Sequence, residues 1–338
     1  MRKLFVTGGA GFIGSAFIRL LLDESPDCLV TNFDALTYAG NLDNLSGLDG
    51  DSRHRFVRGD IGDRAGVLSA LEEGTEAIVN FAAESHVDRS IASADEFIRT
   101  NVLGTQVLLD AARERGVKKF VQVSTDEVMG SLPDDDTAFF TEASPFEPNS
   151  PYSASKAAAE HFVRAAQHTH GLDTVVTRCG NNYGPRQFPE KFLPLIISNA
   201  MRDEPLPLYG DGRYTRDWIY VEDHCRAILM VMQKGRSGAA YNIGARNERR
   251  NLEVAESVLR KLGKPLSLIR HVKDRPGHDR RYAIDPSRVE TELGWRPRET
   301  WETGLEKTVR WYAENGEWVE RARSGAYREY YEQQYGKI

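Results

Sequence analysis

Short apolar runs alternate with longer amphipathic stretches along the first half of the chain. The short runs are rich in β-branched and aromatic residues, whereas the longer stretches repeat apolar residues with a helical period. The pattern predicts strands at residues 3–7, 28–34, 55–58, 77–81, 120–124 and 174–179, and helices at 14–22, 64–72, 95–115 and 153–170. This regular alternation predicts an α/β fold with a doubly wound parallel sheet.

The texture of the sequence changes after about residue 180. Prolines become frequent between residues 185 and 207, and shorter elements replace the regular alternation. At 338 residues the chain also exceeds the roughly 250–300 residues at which a single core stops growing. We therefore expect a domain over residues 1–180 and a smaller, mixed α/β C-terminal lobe over 181–338. Segments near 218–245 are expected to return to the first domain.

Charge and cysteine content narrow the class of protein. The net charge of −6 disfavours a general nucleic-acid-binding surface. Cys28, Cys179 and Cys225 are far apart and form no C-x-x-C motif, which is typical of buried thiols in a reducing compartment. No apolar run approaches the ~18 residues that a membrane span requires. We expect a cytoplasmic protein without a metal site that binds neither nucleic acid nor membrane.

A glycine-rich turn, GGAGFIG at residues 8–14, joins the first predicted strand to the first predicted helix. Gly8, Gly11 and Gly14 have the spacing G-x-x-G-x-x-G, which is meaningful in this strand–turn–helix context. Such glycines let backbone N–H groups approach a pyrophosphate at the start of a helix. Asp34 ends the next strand, where a carboxylate can hold ribose hydroxyls and favours NAD over NADP. The pattern predicts a Rossmann-type NAD-binding domain.

Residues that follow two further predicted strands also fit the predicted NAD site. Asp60 and Ile61 follow the third predicted strand and are placed to contact the adenine. Ala82 and Ala83 follow the fourth, where small residues leave room for the cofactor.

Tyr152 and Lys156 form a Tyr-x-x-x-Lys pair and share one face of a predicted helix. A tyrosine with a pKa near 10 is a poor base at neutral pH. A nearby ammonium and a positive nicotinamide both favour the phenolate, which can accept a hydroxyl proton while a hydride leaves the same carbon. Thr125, just past the fifth strand, is placed to hydrogen-bond that hydroxyl.

Asp126 and Glu127 follow Thr125 directly. Beyond the end of a strand the backbone can turn both carboxyl groups towards a ligand. Two close carboxyls push their pKa values apart, so that one acts as an acid and the other as a base. A dehydrogenase does not need this pair, whereas an enzyme that removes water does.

At these residues the chain resembles the extended short-chain dehydrogenase/reductase family, and within it the dTDP-glucose 4,6-dehydratases. The similarity covers nearly the whole chain. Its most specific motifs are LTYAGN at 36–41, AAESHVDRS at 82–90, TDEV at 125–128, RCGNNYGP at 178–185, FPEK at 188–191, RDW at 216–218 and DRPGH at 274–278.

The resemblance implies a three-step reaction on a nucleotide-activated glucose. Tyr152 takes the proton of the C4 hydroxyl and the C4 hydride passes to NAD, which leaves a 4-ketone. Glu127 then removes the C5 proton while Asp126 protonates the departing C6 hydroxyl, so that water leaves. Return of the hydride to C6 and of a proton to C5 gives the 4-keto-6-deoxy sugar nucleotide.

The resemblance also implies binding roles and a homodimer joined through the helices at 95–115 and 153–170. The residues implied to line the cofactor are Phe12, Ile13, Asp34, Thr37, Asp60, Ile61, His86, Thr100, Tyr152, Lys156 and Asn182. Those implied to hold the nucleotide sugar are His86, Thr125, Asn181, Lys191, Phe192, Pro207, Tyr209, Arg216, Asn251, Arg275 and His278. Arg216 and Arg275 suit a diphosphate, because a guanidinium matches its oxygens bidentately.

Two positions depart from the family pattern. Met129 stands where a tyrosine is usual, and we expect altered packing near the site. Ala35 replaces a common lysine after the ribose carboxylate, which removes a contact to the adenosine part of NAD and predicts weaker cofactor retention.

Three alternatives stay open on the sequence alone. The first is the same chemistry on UDP-glucose or another nucleotide sugar, because recognition of the base involves few contacts. The second is a nucleotide-sugar 4-epimerase, which Asp126 and Glu127 disfavour. The third is a catalytically inactive, NAD-sensing regulator, which would not need Tyr152 and Lys156.

Overall fold

Seven parallel strands form the central sheet of the computed structural model, which describes residues 1–134 and 137–324. The strands are β1 Lys3–Thr7, β2 Leu29–Asp34, β3 His54–Arg58, β4 Ala77–Asn80, β5 Lys119–Thr125, β6 Thr174–Cys179 and β10 Ala240–Ile243. Their order across the sheet is β10-β6-β5-β4-β1-β2-β3. The predicted α/β class with a Rossmann-type parallel sheet is confirmed, and six of the strands lie where the sequence predicted them.

Helices cover both faces of this sheet because neighbouring strand residues point to opposite sides. Leu4 and Val6 of β1 pack with α1 (Phe12–Glu24) and α8 (Val221–Lys234), whereas Phe5 packs in a second core on the other face. That second core contains residues of α2 Arg64–Ala70, α5 Thr105–Glu114 and α6 Pro151–His170.

The predicted helix at 95–115 contains a π-helical segment. Helix α3 Val87–Ala92 is followed by α4 Asp95–Phe97, and α4 continues through the π-helical residues Ile98–Gly104 into α5. Within this segment the buried Asn101 side chain bonds the backbone of Glu84 at both its N–H and its C=O. Segments of this kind are often found at functional sites.

The second half of the chain builds a smaller layer over the carboxyl ends of the strands. Its three-stranded sheet has the order β11-β9-β7, and β8 pairs in parallel with β12. An aromatic core that includes Tyr183, Trp218 and Trp301 holds these elements together. The strands are β7 Asn181–Tyr183, β8 Leu206–Tyr209, β9 Thr215–Tyr220, β11 Glu248–Arg250 and β12 Ile269–Val272, and the helices are α7 Phe192–Met201, α9 Asn251–Leu262, α10 Ser287–Leu293, α11 Trp301–Glu314 and α12 Gly316–Ala322.

The segment between 221 and 243 returns to the central sheet, where β10 pairs with β6 and α8 packs against α1. Cys28, Cys179 and Cys225 are buried, free thiols. Over residues 1–134 and 137–324, no helix is both long enough and apolar enough to cross a bilayer.

Candidate active site

The turn after β1 brings backbone segments so close together that it requires glycine. Gly8 has a φ of 68°, and a Cβ at this position would lie 2.6 Å from the backbone nitrogen of Ala82. A Cβ on Gly14 would overlap the carbonyl oxygen of Gly8. Gly11 begins α1 without a side-chain cap, which suits a helix start that binds an anion through its backbone N–H groups.

Asp34 lies beside this turn and helps to fix it. Its carboxylate accepts hydrogen bonds from the backbone N–H of Ala10 (2.9 Å) and of Leu36 (2.8 Å). Burial raises the pKa of Asp34, and the two backbone hydrogen bonds lower it. The carboxylate therefore joins the glycine turn to the loop after β2, at the place where a dinucleotide ribose is bound in this fold.

The other predicted cofactor residues follow the strand ends that surround the turn. Asp60 accepts a hydrogen bond from the backbone N–H of Gly62, and the N–H of Ala82 donates to the hydroxyl of Thr7. The rest lie at the start of α1 (Phe12 and Ile13), after β2 (Thr37), after β3 (Ile61), after β4 (Ala83), at the N-cap of α3 (His86), in the π-helical segment (Thr100) and in β7 (Asn182).

Tyr152 and Lys156 lie on the first turns of α6 and are 8% and 4% exposed. A proline and a Ser150–Ser153 capping box start this helix beside the end of β5. The Nζ of Lys156 donates to the carbonyl oxygen of Val123 at 2.7 Å, and burial lowers the pKa of Lys156 to about 8.

The surroundings of Tyr152 in the protein alone favour its neutral form. Burial raises its pKa well above the usual value and the charge of Glu127 raises it further, whereas a hydrogen bond with Thr125 lowers it. The phenolate that the sequence analysis expects as the base therefore needs positive charge close by to offset the cost of burial.

Asp126 and Glu127 begin a short 3₁₀ turn, Asp126–Met129, that follows β5. The hydroxyl of Thr125 caps this turn by accepting from the N–H of Glu127 at 3.3 Å. Asp126 is 2% exposed, and its Oδ2 makes no hydrogen bond within the described part of the chain. The turn thus places the two carboxyl groups side by side just beyond the strand end.

The environments of the two carboxyl groups differ. Burial and the nearby Glu127 raise the pKa of Asp126 well above its ordinary value, which favours its protonated form. Burial also raises the pKa of Glu127, but the cations Arg275, Arg216 and Lys191 oppose this shift. The pair therefore combines a carboxyl group whose surroundings favour the acid with one whose ionised form is stabilised by nearby cations.

Three cations of the second lobe, Arg216, Lys191 and Arg275, act on the charge of Glu127. The buried guanidinium of Arg216 donates to the carbonyl oxygen of Asp279 and lies 4.2 Å from the centre of the Tyr282 ring. Lys191 donates to the carbonyl oxygen of Ser85 at 2.6 Å.

Arg275 pairs with Asp88 at 3.2 Å, and its Nε is buried without a hydrogen bond inside the described ranges. His278 stacks on Tyr214 with ring centres 3.6 Å apart. Together with Arg216 and Lys191, Arg275 makes the region near Glu127 positively charged, and such a set of cations suits a diphosphate.

The remaining predicted substrate residues lie in several elements of the second lobe. Pro207 and Tyr209 lie in β8, Asn181 begins β7 and Asn251 begins α9. Phe192 packs against the aromatic core of the second lobe, with its ring centre 6.4 Å from that of Trp218.

Sequence analysis did not single out three buried polar residues of the site. Asn101 donates to Ser155, whose hydroxyl in turn donates to the carbonyl oxygen of Tyr152. Burial raises the pKa of Glu190 to about 7. Tyr282 donates to Asp279 at 2.5 Å. Only Glu190 had a sequence signal, because it directly precedes Lys191 in the FPEK motif.

The structure shows the packing around Met129, the residue that stands where the family usually has tyrosine. Its side chain is buried in a small core with Val128 and Tyr282. The guanidinium of Arg178, which pairs with the buried Glu160 at 2.8 Å, lies 3.9 Å from the Met129 sulfur. Met129 thus contributes packing behind the carboxyl pair.

Comparison with known proteins identifies the family. Residues 5–308 match the family model described as GDP-mannose 4,6 dehydratase. The chain is 52% identical to the dTDP-glucose 4,6-dehydratase of Xanthomonas campestris, over 97% of this chain and 98% of that protein. It is 47% identical to the enzyme of the same name from Salmonella typhimurium, over 98% and 99% of the two chains.

A solved structure agrees with these sequence relatives. The dTDP-glucose 4,6-dehydratase DesIV of Streptomyces venezuelae, crystallised with NAD bound, superimposes with a TM-score of 0.92 at 51% identity. The match covers 95% of this chain and 99% of that one. On its sequence, its fold and the arrangement of its site, the chain belongs to the dTDP-glucose 4,6-dehydratase family.

Proposed function

We propose that this protein is an NAD-dependent dTDP-glucose 4,6-dehydratase that converts dTDP-glucose to dTDP-4-keto-6-deoxy-glucose and water. The observation that carries the proposal is the turn after β5, which places the buried Asp126 beside Glu127, close to Tyr152 and to the cations Arg216 and Arg275. Oxidation alone needs only Tyr152 and Lys156, whereas elimination of water needs an acid and a base as well.

The glycine turn and Asp34 fit NAD. Gly8 and Gly14 leave no space for a Cβ, so the backbone can approach a pyrophosphate, and the buried Asp34 carboxylate suits ribose hydroxyls better than a 2′-phosphate. When bound, NAD supplies a hydride acceptor at the start of the reaction and a hydride donor at its end.

The first proton transfer falls to Tyr152. The substrate C4 hydroxyl loses its proton to Tyr152, with Thr125 hydrogen-bonded beside it. Because burial keeps the phenol neutral in the protein alone, the base form requires additional positive charge at the site. The positive nicotinamide ring of oxidised NAD is such a charge.

Asp126 and Glu127 carry out the elimination of water. The 4-ketone acidifies the C5 proton, which Glu127 removes, and the cations around Glu127 favour its ionised form. Asp126 gives its proton to the C6 hydroxyl, which leaves as water. Burial of Asp126 favours its protonated form, and proton donation from it avoids the separation of charge that expelling hydroxide would require.

Arg216, Arg275 and Lys191 would bind the diphosphate, and Tyr209 lies beside Arg275. Sequence relatives that carry the dTDP-glucose name support thymidine as the base. UDP-glucose is the nearest alternative substrate, because the chemistry proposed for Tyr152, Asp126 and Glu127 takes place on the glucose ring, which both nucleotide sugars share.

Mass spectrometry of the nucleotide sugar tests the proposal. Incubation with dTDP-glucose should remove one water and give the alkali-induced absorbance of a 4-keto sugar. UDP-glucose run in parallel should react more slowly. Conversion to the galactose isomer at unchanged mass would indicate a 4-epimerase, and no reaction with either sugar nucleotide would favour an NAD-sensing regulator.

We also propose a cytoplasmic homodimer. Large apolar side chains are exposed on the helices at 95–115 and 153–170, namely Ile98 (55%), Leu103 (52%) and Phe162 (42%). Self-association through this face would remove them from water. Light scattering should give twice the mass of the chain, and Phe162→Glu should shift the protein towards monomer; a monomeric wild type would contradict this.

A further inference from the structure

Asp88 links two residues of the second lobe to the NAD-binding domain. It lies in the first turn of α3, at the carboxyl edge of the central sheet. One carboxylate oxygen lies 3.2 Å from the Nη1 of Arg275, and the other accepts from the hydroxyl of Tyr209 at 3.3 Å. Arg275 follows β12 and Tyr209 ends β8, so Asp88 holds two separate segments of the second lobe.

This contact leaves part of the Arg275 guanidinium without a partner. The Nε of Arg275 is buried and makes no hydrogen bond to any described residue. Nε and Nη2 together form an edge of the guanidinium that can donate two parallel hydrogen bonds to a phosphate. A buried N–H group without a hydrogen-bond partner destabilises the folded protein. A ligand that accepts a hydrogen bond from this group removes that cost and therefore binds more tightly.

The position of Arg275 also fits a ligand-binding role. Its charge is the largest of the cationic influences that lower the pKa of Glu127. Its guanidinium carbon lies 5.9 Å from the centre of the Tyr209 ring. Arg275 therefore lies between the carboxyl pair and the surface formed by β8, where a nucleotide sugar would place its diphosphate.

We propose that Asp88 is a positioning residue for the nucleoside diphosphate: it fixes the guanidinium of Arg275 and the hydroxyl of Tyr209 before the ligand binds. The inference rests on the proposed function, because it takes Arg275 and Tyr209 as nucleotide contacts. Arginine carries large rotamer entropy, so a side chain already held by Asp88 loses less freedom on binding. Its remaining edge is then directed at the phosphates.

Asp88→Asn tests this, because it removes the charge while keeping the shape of the side chain. We expect KM for dTDP-glucose and Kd for dTDP to rise ~10-fold, since a charge-assisted hydrogen bond is about twice as strong as a neutral one. The kcat should stay within about twofold, and bound NAD should be unchanged. Asp95→Asn, which removes an exposed carboxylate at the start of α4, is the matched control.

Measuring the effect of Asp88→Asn in the Arg275→Ala variant distinguishes a positioning role of Asp88 from a general structural effect. If Asp88 acts through Arg275, then Asp88→Asn should add little to the KM of the Arg275→Ala variant, whereas independent roles would give multiplied effects. Tyr209→Phe offers a milder second test, with a KM rise of about two- to threefold, because the hydrogen bond that it removes from the Asp88 carboxylate is long, at 3.3 Å.

The outcomes distinguish the two proposals. If wild-type protein converts dTDP-glucose while Asp88→Asn matches Asp95→Asn in KM and in dTDP affinity, the positioning role is overturned and the proposed function stands. A fall in kcat at unchanged KM, or multiplied effects with Arg275→Ala, would also overturn it. Wild-type protein that neither binds dTDP nor converts dTDP-glucose would refute both.

Discussion

Replacement of Lys156 by methionine should make the protein more stable at neutral pH while abolishing its activity. Lys156 is 4% exposed, and burial lowers its pKa from 10.5 to about 8. At about 1.36 kcal/mol for each pKa unit, this corresponds to about 3 kcal/mol against folding with the ammonium charged. Methionine is similarly long and unbranched, and it removes that cost.

The lost hydrogen bond to Val123 offsets part of this gain. A hydrogen bond from a charged group contributes about 1.5–3 kcal/mol, so we expect Lys156→Met to be about 1 kcal/mol more stable than wild type at pH 7. The folded lysine loses its proton near pH 8, whereas the unfolded one keeps it up to about 10.5. Wild-type stability should therefore rise with pH across this interval relative to the variant, and the advantage of the variant should shrink and reverse.

Urea denaturation at pH 6.5, 8 and 9.5 measures this difference directly. Lys118→Met is the control, because the Lys118 side chain is 75% exposed and its substitution should leave a small, pH-independent difference. Dehydration by Lys156→Met should fall at least ~100-fold. A variant that is less stable than wild type at pH 6.5, or whose difference does not change with pH, would refute the reasoning.

Three further predictions concern other parts of the site. Asp126→Asn should fold normally, because asparagine mimics the neutral carboxyl group, but dehydration should slow ~10²–10⁴-fold and reduced cofactor should accumulate at 340 nm; normal turnover would contradict this. Gly8→Ala should lose bound NAD and at least ~2 kcal/mol of unfolding free energy, because its Cβ meets backbone, whereas Gly74→Ala, with a similar φ but open space, should lose about 1 kcal/mol; equal losses would exclude the steric cause. Glu160→Gln should cost about 3–5 kcal/mol by leaving Arg178 buried without a counter-ion, and a loss below 1 kcal/mol would show that the pair is not essential.

Much of the nucleotide-binding half of the fold could be predicted from the sequence, because the patterns that identify it lie within short stretches of the chain. Six strands were visible as short apolar runs, and the glycine spacing marks a turn that steric contact alone requires. The Tyr152–Lys156 pair is one helical turn apart, so its shared face follows from helix geometry. The carboxyl pair likewise lies in one local turn after β5.

Other features could not be predicted from the sequence, because they depend on contacts between segments that are far apart in the chain. The π-helical segment contains Asn101, whose side chain donates hydrogen bonds to Glu84 in the loop after β4 and to Ser155 in α6. A helical period does not reveal such a partner. Phe192 follows a binding motif in the sequence, yet it packs beside Trp218, which lies in another strand.

The sequence by itself determined the fold class, the glycine turn and which residues are the candidate acid, base and tyrosine, because residue type and short-range spacing decide each of them. The tertiary structure decided the surroundings that shift their pKa values. Burial favours the neutral forms of Asp126 and Tyr152, and cations from the second lobe favour the charged form of Glu127. It also placed Asp88 against Arg275. Burial and charge at a site are sums over groups from the whole chain, so only the folded arrangement determines them.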